Sequence, residues 1–195
     1  MSDIRIQSSS IVQPSRRAFL QGSGTLLSAS AIALLAGCQA LSAAEKKGGD
    51  AAANDVAVLS SALAAEHQAI AAYQVGAESG LLQKPVLNLA VQFQGHHKAH
   101  ADLLAATIKQ LGGSPVAALS RYDFPVDKLK NQTDVLRFAA ELERGAVSAY
   151  LGAVPLFGNR DLAKAAASIL GDEAMHWAIL RQALGEDPVP AAFMG

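Results

Sequence analysis

Four stretches of the sequence place apolar residues at intervals of three and four, and each series is interrupted by side chains that can bind a metal. Residues with this spacing lie on one face of an α-helix, so the four series predict four helices packed around a common core. Because an unpaired buried carboxylate is very costly, buried charges are normally paired or bound to metal. The sequence therefore predicts an all-α fold with a polar site in its core. The interrupting residues are Glu66, His97, His100, Glu143, Glu173 and His176.

The two halves of this region repeat each other. Residues 65–73 align with residues 142–150, so that Glu66 matches Glu143 at an offset of 77. The second helices of the two halves align at an offset of 76. This alignment places the pair His97 and His100 over the pair Glu173 and His176, each with i, i+3 spacing. Each half is predicted to be a helical hairpin, and two hairpins related by a pseudo-twofold axis form a four-helix bundle.

This pattern resembles the ferritin-like superfamily of carboxylate-bridged dimetal proteins, over roughly residues 54–185. That superfamily has one Glu on each of two helices and Glu-x-x-His on each of the other two. More narrowly, the chain is similar to ferritin-like domains that follow export signals in bacteria. The resemblance implies an up-down-down-up bundle with a long crossover between its hairpins. It also implies a transition-metal site and redox chemistry linked to oxygen or peroxide.

The resemblance assigns roles to the candidate ligands. Glu66 and Glu143 would be terminal ligands of two metals, and Glu173 would bridge them. His100 and His176 would each give one nitrogen to one metal. Imidazole and carboxylate donors suit iron, manganese or zinc, and we expect iron or manganese in preference to zinc.

His97 departs from the family pattern, because it stands where the family has a second bridging Glu. Imidazole cannot bridge through two oxygens, and three carboxylates leave one positive charge on a pair of divalent ions. A mononuclear site, an asymmetric pair and a lapsed site therefore stay open. The alternative is a metal-free buried network in a non-enzymatic envelope or stress-related bundle, in which the glutamates pair with the histidines. The sequence leaves open whether the protein is an enzyme.

Four other ionisable residues lie off the predicted seams. We interpret His67 and His96 as surface residues or neighbours of the ligands. Glu141 and Asp172 are expected to be solvated, with the orientation of a ligand as a second interpretation for Asp172.

Three aromatic residues near the candidate ligands have competing interpretations. Tyr73 and Tyr150 are expected to be core aromatics whose hydroxyls reach an edge. The competing interpretation makes each one redox-active, or a hydrogen-bond partner of a ligand. Trp177 is expected to pack against a neighbouring helix or an oligomer partner, and a homodimer stays open.

The N-terminal region resembles an export signal. Residues 15–20 read Ser-Arg-Arg-Ala-Phe-Leu, similar to the twin-arginine motif, and a short apolar run follows. Residues 35–38 then resemble a lipoprotein processing box ending at Cys38, the one cysteine of the chain. We predict a signal over residues 1–38, export by the twin-arginine machinery and a lipid anchor on Cys38. The protein would then lie in the periplasm or cell envelope; cleavage after Ala43 or Ala44 is the alternative.

Composition and boundary signals complete the prediction. A formal charge of −1 and a pI of about 6.5, without a basic stripe, exclude a nucleic-acid partner. The sequence identifies no redox partner. Residues 39–53 are predicted to be a flexible tether, 54–185 the bundle and 186–195 a tail. Predicted helix N-caps are Asn54 or Asp55 and Asn159, and Thr133 followed by Asp134 is predicted to start the third helix. The residues expected to pin the crossover are Tyr122, Phe124 and Val126.

Overall fold

The computed structural model describes residues 49–194, which form four long helices and contain no β-strand. The predicted signal and lipid-attachment residue, and the predicted tether up to residue 48, lie outside these described residues. The helices are α1 Gly49–Glu78, α2 Lys84–Gln110, α3 Gln132–Ala153 and α4 Arg160–Ala183, with single 3-10 turns at Val126–Lys128 and Val154–Leu156. None of these helices is long and apolar enough to span a membrane.

The helices pair as two hairpins. Helix α1 packs mainly against α2 and α3 mainly against α4, while α1 and α3 are also in contact. Short connections, residues 79–83 and 154–159, make each pair antiparallel, and residues 111–131 cross from one hairpin to the other. The predicted all-α, ferritin-like up-down-down-up bundle with a long crossover is confirmed.

Helix α1 begins at Gly49, so the predicted start at Asn54 or Asp55 is wrong. The alanines at positions 51–53 are good helix formers and continue the helix upstream. The side chain of Asp55 instead serves the connection between α3 and α4. It is buried, and its two oxygens accept hydrogen bonds from the backbone N–H groups of Gly158 at 2.7 Å and Asn159 at 3.1 Å. Asp55 thereby ties the first hairpin to the second.

Side-chain caps begin the helices of the second hairpin. The third helix, predicted to start at Thr133, begins one residue earlier at Gln132, and its cap Asn131 accepts a hydrogen bond from the N–H of Asp134 at 3.0 Å. The Asp134 carboxylate accepts from the N–H of Lys130, the residue before the cap, at 3.0 Å, so both side chains satisfy backbone donors at the start of α3. The prediction for α4 is confirmed, since Asn159 accepts from the N–H of Asp161 at 2.8 Å.

The crossover is attached to the bundle at a few points. Phe124 packs edge-on against Phe138 of α3, with ring centroids 5.6 Å apart, and Tyr122 stacks on Phe124 at 5.8 Å. His67 of α1 is 3.2 Å from the carbonyl oxygen of Val116. Val126, predicted to pin this segment, is 56% exposed, so that prediction is wrong.

The apolar core is divided into two clusters. The first joins the N-terminal half of α1 to the C-terminal half of α2 and to parts of α3 and α4. The second contains Tyr73, Phe93, Leu136, Ala140 and Leu180. The six interrupting residues of the sequence lie between the two clusters, so the fold places polar groups in the middle of its core. The first cluster consists of Leu59, Leu63, Ala101, Leu104, Ile108, Tyr150, Ala166 and Ile169.

Candidate metal centre

The six candidate ligands meet in the core between the four helices. Each helix contributes from the face that carries its apolar series, as the spacing predicts. Five of the six residues are at most 3% exposed, and His100 lies nearest to solvent with a side chain that is 13% exposed. The contributing residues are Glu66 of α1, His97 and His100 of α2, Glu143 of α3, and Glu173 and His176 of α4.

The six residues form two overlapping groups of four. In each group one donor atom per residue lies within 4.8 Å of the others. His97 and Glu173 belong to both groups. These are the two positions at which the superfamily pattern has bridging glutamates. The first group adds Glu66 and His100, and the second adds Glu143 and His176.

The ring of His97 connects the two terminal glutamates. Its Nδ1 is 2.8 Å from Glu66 Oε2, and its Nε2 is 3.2 Å from Glu143 Oε1. Its Nδ1 is also 3.5 Å from Glu173 Oε1. Burial alone would lower the pKa of His97, but hydrogen bonds with Glu143 and Glu66 and the negative charges nearby raise that pKa to about 11. Without a metal, His97 is therefore a cation that sits among the carboxylates.

Pairing also shifts the pKa values of the other two histidines and of the terminal glutamates toward the charged forms. Burial lowers the pKa values of His100 and His176, but pairing with the glutamates outweighs it and raises both to about 9. Burial raises the pKa of Glu66, yet the nearby His100 imidazole and the hydrogen bond with His97 give a net lowering of that pKa. The pKa of Glu143 is also lowered, because His176 and His97 outweigh burial. Three carboxylates thus face three imidazoles that can each carry a positive charge.

Hydrogen bonding nevertheless leaves this group incomplete. Buried polar atoms normally have a partner, and each exception needs an explanation. Nitrogens and oxygens here approach one another without hydrogen-bond geometry, as at 3.1 Å between His100 Nδ1 and Glu173 Oε1. Among residues 49–194, all buried side-chain nitrogen and oxygen atoms without a hydrogen bond belong to this centre: His100 Nδ1, Glu143 Oε2, both oxygens of Glu173, and His176 Nδ1. Five donor atoms that converge without mutual hydrogen bonds fit a bound cation.

Asp172 contacts the two outer histidines. Its Oδ2 lies 3.3 Å from His100 Nε2 and 3.2 Å from His176 Nε2, and 3.0 Å from His96 Nδ1. The expectation that Asp172 is solvated is therefore wrong, and its second interpretation, orienting a ligand, stays a prediction. His100 and His176 each have this carboxylate near Nε2 while Nδ1 is directed at the buried glutamates, an arrangement that is common for metal-binding histidines.

Tyr73 and Tyr150 link the two hairpins through the candidate ligands. Tyr73 of the first hairpin donates to Glu143 of the second, and Tyr150 of the second donates to Glu66 of the first at 2.5 Å. Burial and the adjacent carboxylates raise the pKa values of both hydroxyls well above their ordinary value. The expectation that these hydroxyls reach an edge is wrong, because both tyrosines are buried hydrogen-bond partners of a glutamate.

The remaining predicted residues lie outside the two groups of four. His67 contacts the crossover, Glu141 is exposed, and Trp177 packs beside the second apolar cluster under the Arg181 guanidinium. His96 is a neighbour of the candidate ligand His176, because its Nδ1 is 2.9 Å from His176 Nε2, and its side chain is 39% exposed.

Comparison with known proteins agrees with this architecture. The sequence matches the family model of the ferritin-like domain over residues 54–186. The chain belongs to the ferritin-like domain family. Among solved structures it is similar to a conserved hypothetical protein, rv2844, from Mycobacterium tuberculosis, with 26% identity and a TM-score of 0.63 over 72% of this chain and 97% of that chain. No curated protein matches the sequence.

The paired titratable groups of this ferritin-like domain predict a pH optimum of stability without metal. A histidine whose pKa is raised on folding stabilises the fold fully below its ordinary value of 6.5. That contribution declines as the pH rises toward about 9 for His100 and His176. A glutamate with a lowered pKa stabilises above its ordinary value of 4.5, and this contribution is lost as the pH falls below it.

We therefore expect the melting temperature of the chelator-treated domain to be highest between pH 4.5 and 6.5 and to fall between pH 6.5 and 9. His100→Gln should reduce that fall, whereas His67→Gln, away from the centre, should leave it intact. A melting temperature that stays level or rises between pH 6.5 and 9 in the unmodified domain contradicts the pairing.

The reciprocal tyrosines give a second prediction for the metal-free domain. Tyr150→Phe removes the hydroxyl that donates to buried Glu66, which should cost about 1–3 kcal/mol of the free energy of unfolding. Tyr122→Phe is the matched control, because its hydroxyl meets an exposed backbone N–H, and should change stability by about 0.5 kcal/mol or less. Urea denaturation of both variants makes the comparison, and equal losses would show that the hydroxyl of Tyr150 does not support the centre.

Proposed function

We propose that this ferritin-like domain binds two transition-metal cations, Fe²⁺ or Mn²⁺, at adjacent positions in its core, and that the centre serves redox chemistry with oxygen or peroxide. The observation that carries the proposal is the set of five buried donor atoms without hydrogen bonds. Each such atom costs about 1–3 kcal/mol if it stays unsatisfied. All of them belong to the same six residues, and a cation would satisfy them together.

Each position would take one terminal glutamate and one outer histidine. Glu66 and His100 would hold one cation, and Glu143 and His176 would hold the other. Glu173 lies in both groups with two free oxygens, so it is the residue suited to serve both positions. A mixed set of imidazole nitrogens and carboxylate oxygens suits iron and manganese.

His97 sets the charge of the centre. Once it loses its proton, three carboxylates remain against two divalent cations, which leaves one positive charge. An anionic substrate or hydroxide is therefore favoured at this centre over a neutral ligand. The cations would supply the electrons for reduction of oxygen or peroxide, and the protein's part is to hold them in a buried, hydrogen-bonded shell.

The surrounding residues support that shell. Tyr73 and Tyr150 each donate to one oxygen of a terminal glutamate, so the tyrosine leaves the second oxygen of each carboxylate for a cation. Asp172 fixes the two outer histidines with Nδ1 toward the centre. The apolar clusters above and below keep the site away from bulk water, which strengthens every electrostatic interaction within it.

Export belongs to the proposal and rests on the sequence. The twin-arginine motif and the box ending at Cys38 favour a lipid-anchored protein of the periplasm or cell envelope. The twin-arginine route exports proteins that have already folded, so metal could be inserted in the cytoplasm before export. Insertion in the cytoplasm matters because copper and zinc outcompete iron and manganese at most nitrogen and oxygen sites.

A metal-free bundle with a structural role is the second candidate. The observation in its favour is the ring of His97, which already connects Glu66 and Glu143 by two short contacts. In that case the six residues are a buried ionic network. Such networks fix how helices pack, yet apolar replacements are often neutral or stabilising.

Substitution of Glu173 separates the two candidates. We expect protein purified through its own export route to carry about two equivalents of metal by mass spectrometry, and Glu173→Ala to lose them because both groups share this residue. Glu141→Ala, an exposed change on α3, should retain the metal. Protein without stoichiometric metal, even after incubation with Fe²⁺ or Mn²⁺, would refute metal binding. In that case Glu173→Leu should lower the melting temperature, because it removes a buried carboxylate beside three histidines.

A further inference from the structure

A second set of ligand-type side chains lies on the solvent side of the buried centre. His96 Nδ1 is 3.0 Å from Asp172 Oδ2 and 2.9 Å from His176 Nε2. The triangle closes with 3.2 Å between His176 Nε2 and Asp172 Oδ2. His96 and Asp172 occupy equivalent positions of the two hairpins, at the same offset of 76 as the ligand pairs, and each directly precedes a residue that both buried groups share.

The spacing and chemistry of this triangle suit zinc. Zinc bonds to nitrogen and oxygen of about 2.0–2.2 Å at tetrahedral angles put donor atoms roughly 3.3–3.6 Å apart. The three observed separations of 2.9, 3.0 and 3.2 Å lie a few tenths of an ångström below that range. Two imidazole nitrogens and one carboxylate oxygen, with a fourth position open to water, form a donor set typical of open zinc sites.

The triangle is also accessible and oriented. The side chains of His96 and Asp172 are 39% and 22% exposed, so a cation could reach them without opening the bundle. The buried ring of Phe93 stacks on His176 with centroids 3.9 Å apart. This contact holds the imidazole so that Nδ1 faces Glu143 and Glu173 while Nε2 faces His96.

We propose that His96, Asp172 and Nε2 of His176 form an outer site for a zinc-class divalent cation. The site goes beyond the proposed function, because it requires none of the three buried glutamates. It shares only His176 with the buried centre. A neutral imidazole has one lone pair on its ring nitrogens, so His176 serves the outer or the inner position at one time unless it loses its second ring proton.

The first test disables the buried centre in the full-length chain. Glu66→Gln with Glu143→Gln removes both terminal carboxylates, and calorimetric titration with Zn²⁺ should still show one equivalent bound. Adding His96→Gln to this background should abolish that equivalent, whereas adding His67→Gln should retain it. Absence of zinc binding in the double variant, or zinc binding that survives His96→Gln, overturns the outer site.

A second measurement uses the single substitution Glu173→Ala, which removes a residue shared by both buried groups, so it stays decisive if the double variant fails to fold. Saturating Zn²⁺ should shift the ring resonances of His96 in nuclear magnetic resonance spectra of this variant, and those of His67 should stay unchanged. Unshifted His96 resonances in this variant overturn the proposal. A His96 shift in Glu173→Ala, together with an unmodified chain that binds neither Fe²⁺ nor Mn²⁺, would support the outer site while refuting the proposed function.

Discussion

The charge balance among six buried ionisable side chains is the constraint on which this structure depends. Burial by itself would raise the pKa values of the glutamates and lower those of the histidines, so that each group would lose its charge. Their close pairing reverses both effects for the terminal glutamates and all three histidines. Removing one member leaves charged partners unpaired in the core, which typically costs about 3–5 kcal/mol.

Either protons on the histidines or bound metal cations can balance the negative charge of the three glutamates. Protonated, His97 lies between Glu66 and Glu143 and acts as the central cation, but five other donor atoms stay without hydrogen bonds. Cations would satisfy those atoms at the expense of the histidine protons, so metal affinity should rise with pH. The tyrosine hydroxyls suit both states, because they donate to carboxylate oxygens whichever cation is present.

The sequence could predict that the six candidate ligands meet in the core, because helical periodicity fixes which residues share a face. Glu66, Glu143 and the two i, i+3 pairs each interrupt an apolar series, and the internal repeat relates them. Periodicity could not predict contacts that depend on how two helices pack or how a ring rotates. The contact of Asp172 with His100 is of this kind, because it crosses from α4 to α2, whereas His176 is the i, i+4 neighbour of Asp172 on its own helix.

The same limit explains the tyrosines and the helix boundaries. The repeat aligns Tyr73 with Tyr150, but the repeat does not show that each reaches across to the opposite hairpin's glutamate. Asp55 has the sequence signature of an N-cap, yet its carboxylate binds the connection before α4, more than a hundred residues away. Local signals indicate what a side chain can do, and tertiary contacts decide which partner it finds.

Anomalous diffraction from crystals of the domain loaded with Mn²⁺ or Fe²⁺ would show directly whether the core binds two metals. We expect two anomalous peaks in the core, one beside Glu66 and His100 and the other beside Glu143 and His176, with Glu173 in contact with both. A core without an anomalous peak, in which His97 still connects Glu66 and Glu143, would contradict this expectation.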